Sequence, residues 1–127
     1  WLALSREVAG ADMPCINKND SSMIFRNYTS DSSLVPNSYG ILEPSQNAEI
    51  VTPSIIIVPL VAFSLGGYRL GYGGGFYDRY IEKNLENKDL IIIGLGFSFQ
   101  KYDELPNENH DQKLNWILTE KYLYKVE

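Results

Sequence analysis

The stretch IIIVPLVAFSLGGYRLGYGGGFYDRY, residues 55–80, decides the fold and directs the search for a site. It opens with a β-branched run, residues 55–63, typical of a strand covered on both faces in a parallel sheet. Pro59 cannot donate a hydrogen bond to a central ladder, so we expect it to mark the strand's end. Six of the chain's ten glycines lie between Gly66 and Gly75. Such density indicates a loop that needs bare backbone.

The segments after this loop predict a helix and a second buried strand. FYDRYIEKNLEN, residues 76–87, has apolar side chains at helical spacing, and DLIIIGLGF, residues 89–97, repeats the buried-strand pattern. The apolar positions of the helix are Phe76, Tyr77, Tyr80, Ile81 and Leu85. Strand, loop, helix and strand together form a βαβ unit.

The flanking segments give weaker patterns. WLALSREVAG, residues 1–10, resembles the end of an amphipathic helix closed by Gly10, and SSMIFRNY, residues 21–28, a short strand. The polar segment 29–49 predicts an exposed connection interrupted by a short apolar run. WILTEKYLYKV, residues 116–126, predicts one further strand that closes the sheet.

Composition narrows the class of protein. A chain of 127 residues with 44% hydrophobic residues has the size of one domain, residues 1–127. A net charge of −5 argues against a nucleic-acid-binding surface. Cys15 is the single cysteine, which excludes an internal disulfide and favours the cytoplasm. No apolar run is long enough to span a membrane.

The glycine-rich loop has the composition of a phosphate site. Ligands of open α/β sheets bind beyond the carboxyl ends of the strands, and glycines there let several N–H groups face one anion at a helix start. Neither the dinucleotide pattern nor the Walker pattern fits, because Phe76 and Tyr72 stand where glycine and lysine are required. Arg69 is the expected cation, since guanidinium grips phosphate oxygens well. A purely structural glycine turn is the alternative.

Asp78 allows two interpretations. A carboxylate in the first turn of a helix stabilises the helix dipole. Alternatively, Asp78 holds Mg²⁺, which bridges one or two carboxylates to substrate phosphates. The local sequence leaves both open.

At the level of motifs, the chain resembles 5-formyltetrahydrofolate cyclo-ligases, also called 5,10-methenyltetrahydrofolate synthetases. In that family a strand ending in VP-x-x-AF leads to RLG-x-G-x-G-[YF]-YDR, which residues 55–80 match. Further matches occur in the family's order and extend the likeness from about Met13 to Glu120. These are MPCI and MIFRNY, then YGILEP, IGLGFSFQ and LPNENHDQKLNWILTE.

The resemblance implies a fold and a reaction. The expected fold is a three-layer α/β arrangement, an open, mainly parallel sheet with helices on both faces, of which this chain supplies the C-terminal two thirds. Family members use ATP and Mg²⁺ to convert 5-formyltetrahydrofolate into 5,10-methenyltetrahydrofolate, with release of ADP and phosphate. ATP phosphorylates the formyl oxygen, N10 attacks the activated carbon, and phosphate leaves. A monomer or weak dimer in the cytoplasm is expected, without nucleic acid or membrane.

The family's site residues carry over by motif position. Arg69 and Tyr77 are the expected catalytic residues, and Asp78 and Asp111 the expected Mg²⁺ ligands. The expected ATP-binding residues are Arg69, Leu70, Gly71, Tyr72, Gly73, Gly74, Gly75, Phe76 and Tyr77. Those expected to border the folate are Tyr72, Gly73, Gly74, Gly75 and Phe76. His110, the single histidine, is interpreted as structural. Tyr39 and Glu43 are candidates to approach the substrate, and Glu43 before Pro44 alternatively orders a turn.

This chain differs from the family pattern at two positions and in the residue at which it begins. Ser64 replaces the usual Asp or Asn, and Gly74 stands where many members carry lysine, which leaves more of the phosphate charge to Arg69 and Mg²⁺. The chain begins with Trp1, whereas the family's N-terminal part supplies a basic helix that reaches ATP and elements that line the folate pocket. The alternative to an active enzyme is therefore a truncated, inactive protein that binds nucleotide or folate.

Overall fold

A computed structural model describes residues 3–4, 11–29, 31–72, 74–109 and 111–127. These residues form twelve strands, one α-helix and one short 3₁₀ turn. In chain order the elements are β1 (Ala3–Leu4), β2 (Ala11–Asn17), β3 (Ser22–Tyr28), β4 (Leu34–Pro36), β5 (Leu42–Pro44), β6 (Ile50–Val51), β7 (Ile55–Pro59), β8 (Ala62–Phe63), β9 (Arg69–Leu70), α1 (Phe76–Lys83), β10 (Ile91–Leu95), the 3₁₀ turn (Ser98–Gln100), β11 (Trp116–Leu118) and β12 (Leu123–Lys125). No helix among the described residues has the length and apolar character to cross a membrane.

The central sheet has eight strands in the order β12-β11-β10-β7-β1-β2-β3-β6. Only the pairs β7–β10 and β10–β11 are parallel. The other five pairings are antiparallel. The expectation of a mainly parallel sheet is therefore wrong, and the sheet is mixed.

Connection length explains this mixture. A parallel pair needs a crossover of about a dozen residues or more, whereas a short turn joins neighbouring strands antiparallel. Only residues 18–21 separate β2 from β3, and only residues 119–122 separate β11 from β12. The single α-helix among the described residues does not confirm helical layers on both faces.

The predicted βαβ unit is confirmed. β7 and β10 pair in parallel with Ile55 opposite Ile91, and α1 lies between them in the chain. Pro59 ends β7 as expected. Leu85, expected on the apolar face of the helix, instead lies beyond its end and is 60% exposed.

The core lies between α1 and one face of the sheet. The ring of Tyr80 on α1 contacts that of Phe25 on β3 edge to face, with centroids 4.9 Å apart. Ile81 packs into the same cluster, and full burial of such a side chain stabilises the fold by about 1.5–3 kcal/mol. The largest fully buried side chains are Phe25, Phe63, Ile56, Ile81, Leu114, Ile117, Val58 and Pro53.

Three further segments differ from their predictions. The predicted strand over residues 55–63 is interrupted after Pro59, and its last two residues form β8 in a separate sheet. The segment 116–126 contains two strands instead of one, and the polar segment 29–49 contains the pair β4–β5. At the N-terminus, Ala3–Leu4 is a strand, so no helix covers these two residues. The rest of the segment 1–10 lies outside the described residues.

A small hairpin brings the glycine loop to the carboxyl end of β7. β8 and β9 pair antiparallel across the turn 64–67, where the Ser64 N–H donates to the carbonyl of Tyr68 at 3.0 Å. The hairpin returns the chain, so that Arg69 lies beside Pro59, the last residue of β7. The loop then runs directly into α1.

Candidate active site

Arg69 lies buried at the end of β7. Its side chain is 5% exposed, and Nη2 lies 3.3 Å from Oδ2 of Asp78 in an ion pair. Nη1 donates to the carbonyl oxygen of Pro59 at 3.4 Å. The buried Nε finds no hydrogen-bond partner among the described residues. Because an unpaired buried N–H is costly, this atom is a donor whose partner is missing among the described residues.

Asp78 joins the glycine loop to a distant segment. Its Oδ1 accepts a hydrogen bond from the backbone N–H of Gln112 at 3.4 Å, while Oδ2 faces Arg69. The Leu114 N–H donates to the carbonyl of Gly67 at 3.0 Å, which ties the same segment to the turn before the loop. Asp111, the residue preceding Gln112, is therefore brought to the side of the loop on which Asp78 lies.

Two glycines of the loop lie directly against the protein's own arginines. A Cβ at Gly71 would lie 2.6 Å from Nη1 of Arg69. A Cβ at Gly75 would lie 2.7 Å from Nη1 of Arg79, and Gly75 has φ +68° as the N-cap of α1. Such close contacts do not occur with real side chains, so these positions require glycine while the arginines stay in place. The glycines thus allow two guanidinium groups to lie against the loop.

Tyr77 places a second polar atom beside the buried arginine. Its ring centroid is 5.9 Å from Cζ of Arg69, and its buried hydroxyl has no hydrogen-bond partner among the described residues. Burial raises the pKa of the Tyr77 phenol well above its usual value, and the nearby Arg69 charge only partly opposes this. The hydroxyl therefore stays protonated near neutral pH and carries a proton that no described residue accepts.

The donor set is compatible with Mg²⁺ bound by few protein ligands. The described residues contain no group of three or more histidines, cysteines or carboxylates that could hold a metal. Mg²⁺ usually keeps several waters and takes one or two carboxylates together with substrate phosphates. The carboxylates of Asp78 and Asp111 are oxygen groups of this chemical type. Asp111 Oδ2 also accepts the N–H of Glu108 at 2.7 Å, which holds its loop in place.

Other predicted residues lie elsewhere or outside the described residues. Gly73 and His110 belong to the latter group. Glu43 lies on β5 and accepts hydrogen bonds from the Ile16 N–H and from the Asn37 side chain, both at 3.2 Å. Of its two interpretations, these contacts favour the ordering of a turn. Tyr39 lies in the turn between β4 and β5 and is 52% exposed.

Arg79 was not predicted as a site residue. It follows Asp78 in the motif, but helix periodicity places it among the polar positions of α1. Its guanidinium nevertheless contacts the carbonyls of Gly74 and of Ser21, which is 58 residues away in sequence. The motif FYDRY contains this arginine, but no local sequence pattern connects it to Ser21.

Fold and site together define an α/β protein with a glycine loop at the carboxyl end of a parallel strand, where ligands of open α/β sheets bind. Residues 4–120 match the model of the 5-formyltetrahydrofolate cyclo-ligase family, and the chain belongs to that family. It is 42% identical over 100 residues to 5-formyltetrahydrofolate cyclo-ligase of Haemophilus influenzae, covering 76% of this chain and 53% of the relative. Against the Escherichia coli K12 cyclo-ligase the identity is 37% over 102 residues, with 77% and 56% covered.

Solved structures give the same family. The NMR structure of Aquifex aeolicus 5,10-methenyltetrahydrofolate synthetase matches with a TM-score of 0.72 and 32% identity, covering 91% of this chain and 57% of that one. The synthetase of Mycoplasma pneumoniae matches with a TM-score of 0.60 and 26% identity, with 91% and 56% covered. The chain therefore spans a little over half the length of these relatives.

Proposed function

We propose that this chain carries out the ATP- and Mg²⁺-dependent conversion of 5-formyltetrahydrofolate to 5,10-methenyltetrahydrofolate, with release of ADP and phosphate, in the cytoplasm and as a monomer or weak dimer. Family membership supports the folate chemistry. The observation that carries the proposal is the buried Arg69, which sits at the glycine loop with an unpaired Nε and an acidic partner.

The ATP phosphates would lie on the loop between β9 and α1. Arg69 supplies the fixed charge, and the N–H groups of the loop and of the first turn of α1 supply donors. α1 has no side-chain cap at its N-terminus, so its first N–H groups remain available to an anion. The residues proposed to bind ATP are Arg69, Leu70, Gly71, Tyr72, Gly73, Gly74, Gly75, Phe76 and Tyr77. Tyr72 to Phe76 would also border the folate.

The chemistry requires positioning and charge stabilisation more than an acid or base. The formyl oxygen is a poor leaving group until it is phosphorylated, after which N10 attacks the carbon and phosphate departs as the ring closes. Arg69 stabilises charge on the transferred phosphoryl group. The protonated hydroxyl of Tyr77, whose ring lies near Arg69, would donate a hydrogen bond to the same oxygens.

Asp78 and Asp111 are the proposed ligands of Mg²⁺. When bound, the cation would neutralise phosphate charge that Arg69 alone does not balance. The guanidinium of Arg69 lies 3.3 Å from the Asp78 carboxylate and would reduce its repulsion of a nearby phosphate. Asp78 would share its oxygens between the arginine and the cation.

A spectroscopic assay tests this function. The purified protein is mixed with 5-formyltetrahydrofolate, ATP and Mg²⁺, and the ultraviolet absorbance of the methenyl product is followed. We expect product only when all three are present, and little product from Asp78→Asn or Asp111→Asn at limiting Mg²⁺. Arg69→Ala should weaken ATP binding far more than folate binding. Binding of ATP or folate without turnover would contradict the enzymatic function and favour an inactive binding protein.

A further inference from the structure

Arg79 links the glycine loop to a hairpin far away in sequence. Its Nε donates to the carbonyl oxygen of Ser21 at 2.9 Å, and its Nη2 donates to that of Gly74 at 2.6 Å. The guanidinium carbon lies 5.2 Å from the ring centroid of Phe76. Three separate groups therefore hold one side chain, although it lies on the polar side of α1.

The contact with Gly74 fixes the direction of a neighbouring donor. The peptide bond between Gly74 and Gly75 is planar and trans, so the C=O and the following N–H point in opposite directions. Because Arg79 draws the Gly74 carbonyl towards itself, the N–H of Gly75 points away from Arg79. Gly75 is also the N-cap of α1, so this N–H stands at the positive end of the helix.

The contact with Ser21 anchors the arginine from the other side. Ser21 lies in the turn between β2 and β3 and has φ +59°, an uncommon conformation for a residue other than glycine. Its carbonyl accepts a charge-assisted hydrogen bond, which is stronger than a neutral one. The turn between β2 and β3 thus fixes the guanidinium of Arg79, and the guanidinium fixes the carbonyl of Gly74 in the loop.

We propose that Arg79 is a positioning residue that orients the Gly75 N–H towards the phosphates of ATP, an inference that rests on the proposed function. Only arginine supplies two donors in a rigid planar fork. A lysine keeps the charge, but its single nitrogen on a flexible stem does not hold both carbonyls in one fixed geometry. The Gly74–Gly75 peptide would then be free to rotate, and the Gly75 N–H would lose its fixed direction.

The test compares Arg79→Lys with a matched arginine elsewhere. Arg26 on β3 also donates to two backbone carbonyls, those of Gln46 at 3.1 Å and Ala48 at 2.7 Å. Neither carbonyl belongs to the glycine loop. Both variants are examined without ligand by the amide nitrogen chemical shift of Gly75, which responds to the hydrogen bond on the preceding carbonyl of Gly74, and by separate titrations with ATP and 5-formyltetrahydrofolate. Thermal unfolding and Arg79→Met complete the set.

In Arg79→Lys we expect the Gly75 amide nitrogen shift to change, because the Gly74 carbonyl loses its hydrogen bond, and the Kd for ATP to rise about tenfold, equivalent to about 1.4 kcal/mol. The Kd for folate should change less than about twofold. Arg26→Lys should leave the Gly75 shift and ATP binding unchanged, and Arg79→Met should be at least as impaired as Arg79→Lys. Full rescue by lysine, or equal weakening of both ligands, would overturn the proposal.

The chemical shift measurement separates this proposal from the proposed function. If the wild-type protein bound no ATP, the proposed function would fail, and with it the role of Arg79 towards phosphates. A changed Gly75 shift in Arg79→Lys, with an unchanged shift in Arg26→Lys, would still establish that Arg79 holds this peptide. An unchanged shift in Arg79→Lys would overturn that orientation whatever the protein binds.

Discussion

The guanidinium of Arg69 and the carboxylate of Asp78 form an ion pair with Nη2 and Oδ2 3.3 Å apart, the two side chains being 5% and 22% exposed. The sequence motif suggests separate duties for these residues, as the phosphate cation and the metal ligand. Their contact shows that the two charges are coupled. A change in either one therefore alters the other.

This coupling gives the first prediction. Arg69→Met and Asp78→Asn should each lower the free energy of unfolding by about 1–3 kcal/mol, less than for a fully buried pair because solvent screens Asp78. In the double variant we expect an interaction energy of about 1 kcal/mol. Urea unfolding of the four proteins without ligand measures it. Additive losses would show that the pair contributes no coupling.

The second prediction concerns a buried acid. Asp12 on β2 is 2% exposed and lies opposite Asn27 on β3. One oxygen of each side chain is buried without a hydrogen-bond partner among the described residues. Burial raises the pKa of Asp12. A protonated carboxyl could donate to the Asn27 oxygen and satisfy both atoms.

The sign of the pH dependence follows from this shift. Because the folded pKa lies above the unfolded value of about 3.9, the stabilisation is complete below that value and is lost as pH rises through the folded pKa. Asp12→Asn supplies an N–H donor and should stabilise the protein at pH 7 by about 1–3 kcal/mol. Urea unfolding between pH 3 and 8 tests this.

Asp20→Asn is the matched control. The pKa of Asp20 is lowered by hydrogen bonds from Ser22, so its contribution has the opposite sign and is lost as pH falls through the folded pKa. The substitution should not stabilise the protein at neutral pH. Equal effects of the two variants would contradict the proposed role of Asp12.

The sequence predicts elements best where local pattern and packing agree. β7, α1 and β10 were recognised because an apolar run, a glycine loop and a helical repeat each have one preferred structure. The mixed sheet was missed because strand direction depends on which strands pair, and β1 and β7 pair over fifty residues apart in sequence. The pair β4–β5 was missed because each strand has only three residues and ends in a proline, too short for an alternating pattern to show.

The candidate site was recovered only in part for the same reason. Arg69 and Asp78 could be named from the motif, but their mutual contact depends on the β8–β9 hairpin that folds the chain back to Pro59. The role of Arg79 depends on Ser21, which no local pattern connects to it. The bare backbone around Gly71 was recognised, whereas the side chain that occupies the space was not.

The third prediction concerns the thiol of Cys15. Its Sγ lies 3.8 Å from the carbonyl oxygen of Pro44, and burial, assisted by the carboxylate of Glu43, raises its pKa from 9.0 to about 11. At pH 8 the thiolate is therefore about 100-fold scarcer than in an unperturbed cysteine. We expect alkylation by iodoacetamide to be at least about 100-fold slower in the native protein than in urea.

Glu43→Gln provides the control for this thiol. Removing the carboxylate charge should lower the Cys15 pKa and speed alkylation modestly, because burial is the larger cause. Since the folded pKa is raised, stability should fall as pH rises through about 11. Equal rates in the native and unfolded protein would show that the thiol is not protected.

The last prediction concerns Gly75. An alanine there must adopt a left-handed conformation, at a cost of about 1–2 kcal/mol, and its Cβ would meet Nη1 of Arg79 at 2.7 Å. Gly75→Ala should therefore destabilise the fold and displace Arg79 from the loop.

Gly66→Ala is the matched control, because a Cβ there meets its nearest neighbour at 3.7 Å, an ordinary contact. We expect Gly66→Ala to change the free energy of unfolding by less than about 0.5 kcal/mol. Combining Gly75→Ala with Arg79→Lys should cost less than the sum of the single changes, since a displaced arginine no longer clashes. Strictly additive losses of the free energy of unfolding in urea would mean that glycine is needed at position 75 for its backbone conformation alone, and not to leave space for Arg79.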